Sequence, residues 1–217
     1  MTTLTIAANE ILSDRPFTRP EATARDLRHM VTMLNHVRRM VVGFNPDFRV
    51  PAPWRTEHRQ PDGRIHKLVI CDLPPLRMHQ ELSVVGFFGQ ARAGRNLAGL
   101  LEVNDSLVEE FRNYPGILTY STLQLGRRGN FGNLILHDRP ETRELWRSSA
   151  RHVQAATELS PAAYHSVRIH NGFLPQGLLN RWRPVITVTK YWDFDDGWQW
   201  IRVFGYPSEL APAPAAV

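Results

Sequence analysis

The order of strand-like and helix-like segments between residues 81 and 171 constrains the fold of this chain more than any other feature. Runs rich in β-branched, aromatic and aliphatic residues predict strands at 81–90, 117–125, 133–136 and 164–171. Apolar residues between 97 and 111 recur with a period near 3.6, which predicts a helix that ends before the breaking sequence Tyr114, Pro115, Gly116. A second helix is predicted after Asp138. This βαββαβ order predicts an α+β fold in which two helices cover one face of an antiparallel sheet.

The second helix begins at a sequence that favours helix starts. Asp138 offers a capping side chain, Pro140 suits the first turn, and Glu141 lies near the positive end of the helix dipole. One helix is predicted from there to Ser160 and Pro161, which close it. Its sheet-facing stripe is predicted from residues at spacings of three and four, namely Leu145, Ser149, His152 and Ala156.

The last strand of the unit has two different faces. Its alternation places Val167 and Ile169 on one side and a polar set on the other, namely Tyr164, Ser166, Arg168 and His170. We expect the polar side to border a wet cavity. The sheet face away from the two helices would expose a large apolar patch, so we expect a second copy of the chain to cover it in a homodimer.

These motifs resemble those of a known family. The helix ending in YPG before ILTYSTLQL, and Trp146, Ser149 and His152 spaced as W-x-x-S-x-x-H, resemble the antibiotic biosynthesis monooxygenase group of the dimeric α+β-barrel superfamily. The resemblance covers about residues 80–175 and implies a ferredoxin-like unit that pairs sheet to sheet. It also implies an electron-rich aromatic polyketide as the substrate. With extensions flanking one unit, the chain is similar in length to the oxygenases that open or contract the B ring of angucyclines with reduced flavin.

Composition restricts the class of protein. The 217 residues carry a formal charge of +5, but the arginines are scattered and no nucleic-acid-binding motif accompanies them, so nucleic acid is not an expected partner. No apolar run approaches the length of a membrane span, and no secretory segment is predicted at the start of the sequence. The single cysteine, Cys71, excludes an intramolecular disulfide and fits a reducing cytoplasm, where we expect the protein to act.

Segments on both sides are expected to extend the ferredoxin-like unit at 80–175. Residues 1–79 are predicted to form an arm, an amphipathic helix from Leu27 to Gly43, an irregular proline-containing segment and a short strand at 64–71. The irregular segment and the strand form either a lid or an extra hairpin, with a turn at Asp62 and Gly63. Residues 176–210 are predicted to form a helical turn and a β-hairpin around Asp196 and Gly197. The tail at 211–217 is expected to be disordered.

Histidine is the side chain whose ordinary pKa suits removal of a phenolic or anthrone proton near neutrality. We expect His170 or His152 to be this base, with a structural role as the main alternative for His152. The other candidates donate hydrogen bonds to the resulting oxyanion or line the cavity. They are Arg168, Asn171, Tyr164, Ser166, Trp146 and Trp54.

Two other functions stay open. One is a haem enzyme of the same superfamily, such as an aldoxime dehydratase or a chlorite-dismutase relative, in which a histidine ligates iron. Ala156 occupies the position where the resemblance to haem-degrading members implies a histidine. The other is a non-redox polyketide cyclase or binding protein. We expect an oxygenase that uses O2 with no metal and no tightly bound cofactor, because no glycine-rich dinucleotide fingerprint is present. A diffusible reduced flavin, FADH2 or FMNH2, supplied by a flavin reductase, is the expected redox partner.

Overall fold

The structure, a computed structural model, describes residues 2–45, 53–94, 105–126 and 130–205. The strands are β1 (Thr2–Ile6), β2 (Trp54–Arg59), β3 (Ile65–Ile70), β4 (Glu81–Ala91), β5 (Ile117–Gln124), β6 (Phe131–His137), β7 (Tyr164–Pro175), β8 (Val185–Asp193) and β9 (Trp198–Val203). The helices are α1 (Pro20–Gly43), α2 (Leu73–Met78), α3 (described at 105–110), α4 (Pro140–Arg147), α5 (Ala150–Gln154) and α6 (Ser160–Ala163). The predicted helix residues 97–104 and the tail at 206–217 lie outside the described residues.

The described strands form one mixed sheet in the order β1-β9-β8-β7-β4-β6-β5-β3-β2. The four central strands, β7-β4-β6-β5, have the neighbour order of a ferredoxin-like unit, and every pair among them is antiparallel. The α+β class and the four strands of this unit are therefore confirmed. The predicted strand at 64–71 is confirmed as β3, and the hairpin is confirmed as β8 and β9, with Gly197 at φ +70° in the turn between them.

Two local predictions in the extensions are wrong. The stretch predicted as an arm contains β1, which pairs in parallel with β9 at the sheet edge. Residues 177–182 form turns and irregular backbone rather than a helical turn. Of the two alternatives for the segment before β3, the structure shows the extra hairpin, because β2 pairs antiparallel with β3. The N-terminal segment is held by Arg202, whose buried guanidinium donates hydrogen bonds to the carbonyl oxygens of Thr18 at 2.9 Å and Glu10 at 2.6 Å.

Helix α1 packs across the sheet face that the sequence led us to expect to be bare. Its buried stripe is set by spacings of three and four, and includes Met30, Leu34 and Val37. These side chains form one core with sheet residues such as Leu134 and Leu136. The apolar face is therefore covered within a single chain, and the prediction that it stays bare is wrong. Among the described residues, no helix combines the length and the apolarity needed to cross a membrane.

The helices α3–α6 lie on the other face, and the segment predicted as one helix is interrupted. A new helix begins after Ser149, a π-helical turn spans Ala155–Leu159, and Ser160 begins α6 rather than closing a helix. Leu145 is 59% exposed, so it does not belong to the buried stripe. Asp138 does not cap the backbone of α4 but accepts a hydrogen bond from Thr142 Oγ1 at 2.6 Å.

Candidate active site

A cavity of about 380 Å³ lies between the central sheet and the α3–α6 layer. Its volume falls at the lower end of the range of small-molecule sites, which suits one fused-ring ligand. Its walls are mostly apolar and aromatic. The apolar lining includes Ile65, Val85, Phe87, Leu107, Phe131, Ile135, Trp146, Ala155, Ala156 and Ile169, and the polar lining consists of Lys67, Asp105, Tyr120, Thr122, Gln124, Asn133, His152, Ser160 and Tyr164.

Strand alternation explains which polar groups face this cavity. Tyr120 pairs with Ile135 and Thr122 pairs with Asn133 across β5 and β6. Directly paired residues share a face, so these four side chains point to the same side of the sheet. The sequence analysis missed Tyr120 and Asn133, although the period-two pattern in ILTYSTLQL was a signal that could have identified Tyr120.

The motif W-x-x-S-x-x-H has a local structural explanation. Trp146 lies at the end of α4, and Ser149 Oγ accepts a hydrogen bond from the backbone N–H of His152 at 3.0 Å, which starts α5. The ring centroids of Trp146 and His152 are 4.7 Å apart at an interplanar angle of 71°, an edge-to-face contact. The serine cap thus fixes the imidazole against the indole in the cavity wall.

Three titratable groups of the cavity wall, His152, Tyr120 and Tyr164, are neutral at neutral pH. Burial, followed by the charge of Arg147, lowers the pKa of His152 to about 4. Burial raises the pKa of Tyr120 and the pKa of Tyr164 well above the ordinary tyrosine value. His152 is therefore able to accept a proton, while both phenol groups keep theirs and are able to donate hydrogen bonds.

Two buried polar atoms in the wall of the cavity have no hydrogen-bond partner among the described residues. They are the indole Nε1 of Trp146, a donor, and the side-chain Oδ1 of Asn133, an acceptor. Trp146 is only 6% exposed. A buried polar group without a partner costs free energy, so these atoms are suited to bind a ligand that carries both an acceptor and a donor.

Gly89 positions the ring of Tyr164. A Cβ atom at residue 89 would lie 2.4 to 2.7 Å from three ring carbons of Tyr164, so only glycine lets the ring lie flat against β4. The Tyr164 ring also contacts Phe87 edge to face, with centroids 5.8 Å apart. Glycine at this position therefore makes Tyr164 part of the cavity wall.

The structure places Arg168 and His170 on the opposite face of the sheet, under α1. Arg168 donates two hydrogen bonds to the carboxylate of Asp26, one of them from Nη2 at 3.0 Å, and His170 Nε2 lies 3.0 Å from Asp26 Oδ2. The other ring nitrogen of His170 lies 2.9 Å from Thr189 Oγ1. The prediction that the polar side of β7 borders the cavity therefore holds only for Tyr164 and is wrong for Ser166, Arg168 and His170. Arg168 and His170 are buried and bound to Asp26, so they do not share the cavity with His152.

The charges under α1 form a paired set. Burial raises the pKa of Asp26, but the hydrogen bonds from His170 and Arg168 outweigh this effect and hold the pKa below its ordinary value. Burial lowers the pKa of His170 despite the hydrogen bond and charge of Asp26, which act in the opposite direction. Asp26 is thus a carboxylate paired with Arg168, and His170 is neutral beside them.

The remaining predicted site residues lie outside the cavity lining. Asn171 Oδ1 accepts a hydrogen bond from Arg143 Nη1 at 3.0 Å. Ser166 is buried and lies 3.4 Å from Gln90 Oε1. Trp54 packs edge to face on Phe44, with ring centroids 5.0 Å apart, so it anchors β2 and does not cover the cavity. Within the described ranges, no group of three or more potential ligand side chains is arranged to hold a metal ion.

The described residues form an α+β protein with one mostly apolar cavity between its central sheet and the α3–α6 layer. No family model matches the chain, and no curated protein is similar to it in sequence. Three solved structures are similar to parts of it. One is a protein from Shewanella oneidensis, at 12% identity, covering 45% of this chain and 95% of that chain with a TM-score of 0.40. Another is SnoaB, a cofactor-independent oxygenase from Streptomyces nogalater, at 17% identity, covering 43% of this chain and 90% of that chain with a TM-score of 0.33.

The third similar structure is an aldoxime dehydratase, at 11% identity, covering 69% of this chain and 36% of that chain with a TM-score of 0.31. The matched proteins thus include an oxygenase and a dehydratase. At these identities and scores, the matches do not assign an activity to this chain, and the functional argument rests on the cavity.

Proposed function

We propose that this protein is an oxygenase that acts on an aromatic polyketide, a phenolic polycycle, in antibiotic biosynthesis. The observation that carries the proposal is that neutral His152 lies in the wall of one mostly apolar cavity with Trp146 Nε1 and Asn133 Oδ1, two buried polar atoms that have no partner among the described residues. Such a cavity supplies a base and hydrogen-bonding groups between mostly apolar walls.

The first step is a proton transfer from the substrate to the imidazole of His152. The acid is the activated CH2 group of an anthrone-type ring, and its loss of a proton leaves a carbanion whose charge spreads onto the ring oxygen. The Trp146 N–H and the Tyr164 hydroxyl group on the cavity wall are available to donate hydrogen bonds to that oxygen. Asn133 Oδ1 is available to accept one from a phenolic O–H.

The second step is the reaction of the carbanion with O2. Electron transfer from the carbanion and recombination form a carbon–oxygen bond, and the peroxide anion takes the proton back from His152. The resulting hydroperoxide loses water to give a ketone. In sum, CH2 and O2 become C=O and H2O, so the substrate supplies the electrons and His152 ends as it began.

Oxidative ring opening is the more specific version of the proposal. It uses reduced flavin, FADH2 or FMNH2, as a second reductant that diffuses in from a flavin reductase. The cavity has the size of one three-ring system, which suits the flavin ring or the substrate. Oxygen uptake with a polycyclic phenol, measured with and without a flavin reductase and NADH, distinguishes the two versions.

The proposed catalytic unit is a single chain in the cytoplasm. The homodimer expected from the sequence was needed to cover a bare sheet face, and α1 already covers that face. Sedimentation is expected to show a species near the 24.9 kDa of one chain, and a stable dimer would contradict this expectation.

The test is oxygen uptake with 1,8-dihydroxyanthrone as substrate, corrected for the rate without protein. His152→Gln is expected to lower the enzymatic rate by about 10² or more, the usual contribution of a positioned base. Trp146→Phe keeps the aromatic contact, removes the N–H and is expected to lower the rate by about tenfold. The matched control is His165→Gln, because His165 is exposed and pairs with Asp195 at 2.8 Å. Equal rates in the His152 and His165 variants would refute the proposed base.

A further inference from the structure

Three cationic side chains lie outside the cavity lining but beside lining residues of β7 and α4. Arg143 and Arg147 project from neighbouring turns of α4, and Lys190 lies on β8. Lys190 pairs directly with Ile169 of β7, which lines the cavity. Because directly paired residues share a face, the ammonium group of Lys190 lies on the cavity side of the sheet, one strand beyond the lining.

Contacts of the two arginines connect this cluster to the cavity wall. Arg143 Nη1 donates a hydrogen bond to Asn171 Oδ1 at 3.0 Å, two residues along β7 from Ile169. Arg147 directly follows Trp146, which lines the cavity and contacts His152 with ring centroids 4.7 Å apart. The charge of Arg147 lowers the pKa of His152 and that of Lys190. The cluster therefore adjoins the part of the cavity that contains His152.

Positive charge exceeds negative charge in this cluster. Glu144 forms ion pairs with both arginines, through Arg143 Nε at 2.9 Å and Arg147 Nη1 at 3.0 Å. Lys190 has no ion pair or hydrogen bond with the residues that the structure describes, although it is only partly exposed. Burial, followed by the charges of Arg147 and Arg143, lowers the pKa of Lys190. The carboxylate of Glu144 is thus the anionic partner of both arginines, and the ammonium group of Lys190 has no direct anionic partner among the described residues.

We propose that Lys190, with Arg143 and Arg147, binds an anionic oxygen group, a carboxylate or a phosphate, on the ligand that occupies the cavity. This inference rests on the proposed function only in that it requires the cavity to bind an aromatic ligand. The anion has two possible sources, an acidic substituent of the polycyclic substrate or the phosphate of a reduced flavin. Either would place three positive donors on one anionic group, an arrangement that charge-assisted hydrogen bonds favour.

The experiment is isothermal titration of the full-length protein with two matched pairs of probes. The first pair is anthraquinone-2-carboxylate and the neutral 2-hydroxymethylanthraquinone, and the second is FMN and riboflavin. The variant is Lys190→Met, which keeps the aliphatic stem. The matched control is Arg139→Gln, which removes a positive charge from the exposed start of α4.

We expect wild-type protein to bind at least one anionic probe about tenfold more tightly than its neutral partner. Lys190→Met removes that preference without changing the affinity for the neutral probe, and Arg139→Gln retains it. A preference for the carboxylate assigns the site to the substrate, and a preference for FMN assigns it to the flavin. If neutral probes bind and neither anion gains affinity through Lys190, the anion site is refuted while the proposed function stands. If no aromatic probe binds, both are refuted.

Discussion

At the scale of single residues, Gly89 decides where one wall of the cavity lies. Gly89→Ala would add a methyl group less than 3 Å from the ring of Tyr164, so the ring must move away from β4 into the cavity. We expect the affinity for 2-hydroxymethylanthraquinone to fall by about tenfold, and the free energy of unfolding to fall by about 1–3 kcal/mol. Titration and urea unfolding measure the two effects.

Gly43→Ala is the matched control for that substitution. Residue 43 ends α1, and no described atom lies within 4 Å of an added Cβ there. This variant is expected to bind the probe like wild-type protein. Unchanged binding in Gly89→Ala would show that Tyr164 does not shape the part of the cavity that the ligand occupies.

Sequence and structure agree on some residues of the site and differ on others for physical reasons. Trp146 and His152 were identified from their spacing in the motif W-x-x-S-x-x-H. The two side chains remain in contact although one helix ends and another begins at Ser149. His170 was assigned to the wrong face because polar residues alternate along a strand in the same way in two situations. They do so when they border a cavity, and also when they bind a buried carboxylate such as Asp26 from a helix distant in sequence. Nothing in the sequence around Lys190 indicated a binding role. The proposed role depends on Arg143 and Arg147 of α4, which lies some forty residues earlier in the chain.

At the scale of elements, Asp26 fixes how α1 lies on the sheet. Asp26→Ala would leave the guanidinium of Arg168 and the imidazole of His170 buried without their common partner. Breaking a buried ion pair in this way costs about 3–5 kcal/mol of unfolding free energy. Urea unfolding followed by circular dichroism is the measurement.

Two further variants distinguish the cost of losing the Asp26–Arg168 ion pair from the cost of removing any negative charge from α1. Glu21→Ala removes an exposed carboxylate from the first turn of the same helix and is expected to cost about 1 kcal/mol or less. Asp26→Leu combined with Arg168→Met replaces the pair by apolar side chains and is expected to recover much of the loss. Equal costs for Asp26→Ala and Glu21→Ala would show that the pair does not hold α1.

The elements themselves were largely predictable, and their mutual arrangement was less so. Runs of β-branched and aromatic residues identified β4 and β5, alternating runs beside an Asp-Gly turn identified β8 and β9, and a period near 3.6 identified α1, because these patterns are local. The position of α1 over the sheet was not predictable from its own sequence, since Asp26 reads as an ordinary surface charge until Arg168 meets it. The same reason led to the prediction of a dimer for a face that the chain covers itself.

At the scale of the whole molecule, stability is expected to depend on pH through buried histidines. Burial is the largest cause of the lowered pKa values of two histidines. It lowers the pKa of His66 to about 3 and the pKa of His137 to about 4. Both are neutral when folded, whereas in the unfolded chain they take up protons below the ordinary value of 6.5. Their contribution to stability is therefore complete above pH 6.5 and is lost as the pH falls towards 4 and 3.

Each such histidine is expected to lower the unfolding free energy by up to about 1.4 kcal/mol per pH unit in that window. Urea midpoints measured from pH 7.5 to pH 5 check the slope. His66→Leu is the comparison variant, because His66 is fully buried and neither ring nitrogen has a partner among the described residues. Its slope is expected to be shallower than that of wild-type protein, and an unchanged slope would exclude His66 as a source.

The parallel pairing of β1 with β9 has a consequence for the order in which the molecule is made. Thr2 pairs with Trp198, so β1 leaves the ribosome long before the strand with which it pairs. Helix α1 also leaves the ribosome before its packing partners, because its apolar stripe packs on strands that are synthesised later. The nascent chain therefore exposes the apolar stripe of α1 and the unpaired edge of β1 during synthesis. We expect newly made protein to be most prone to aggregation before β9 has been synthesised.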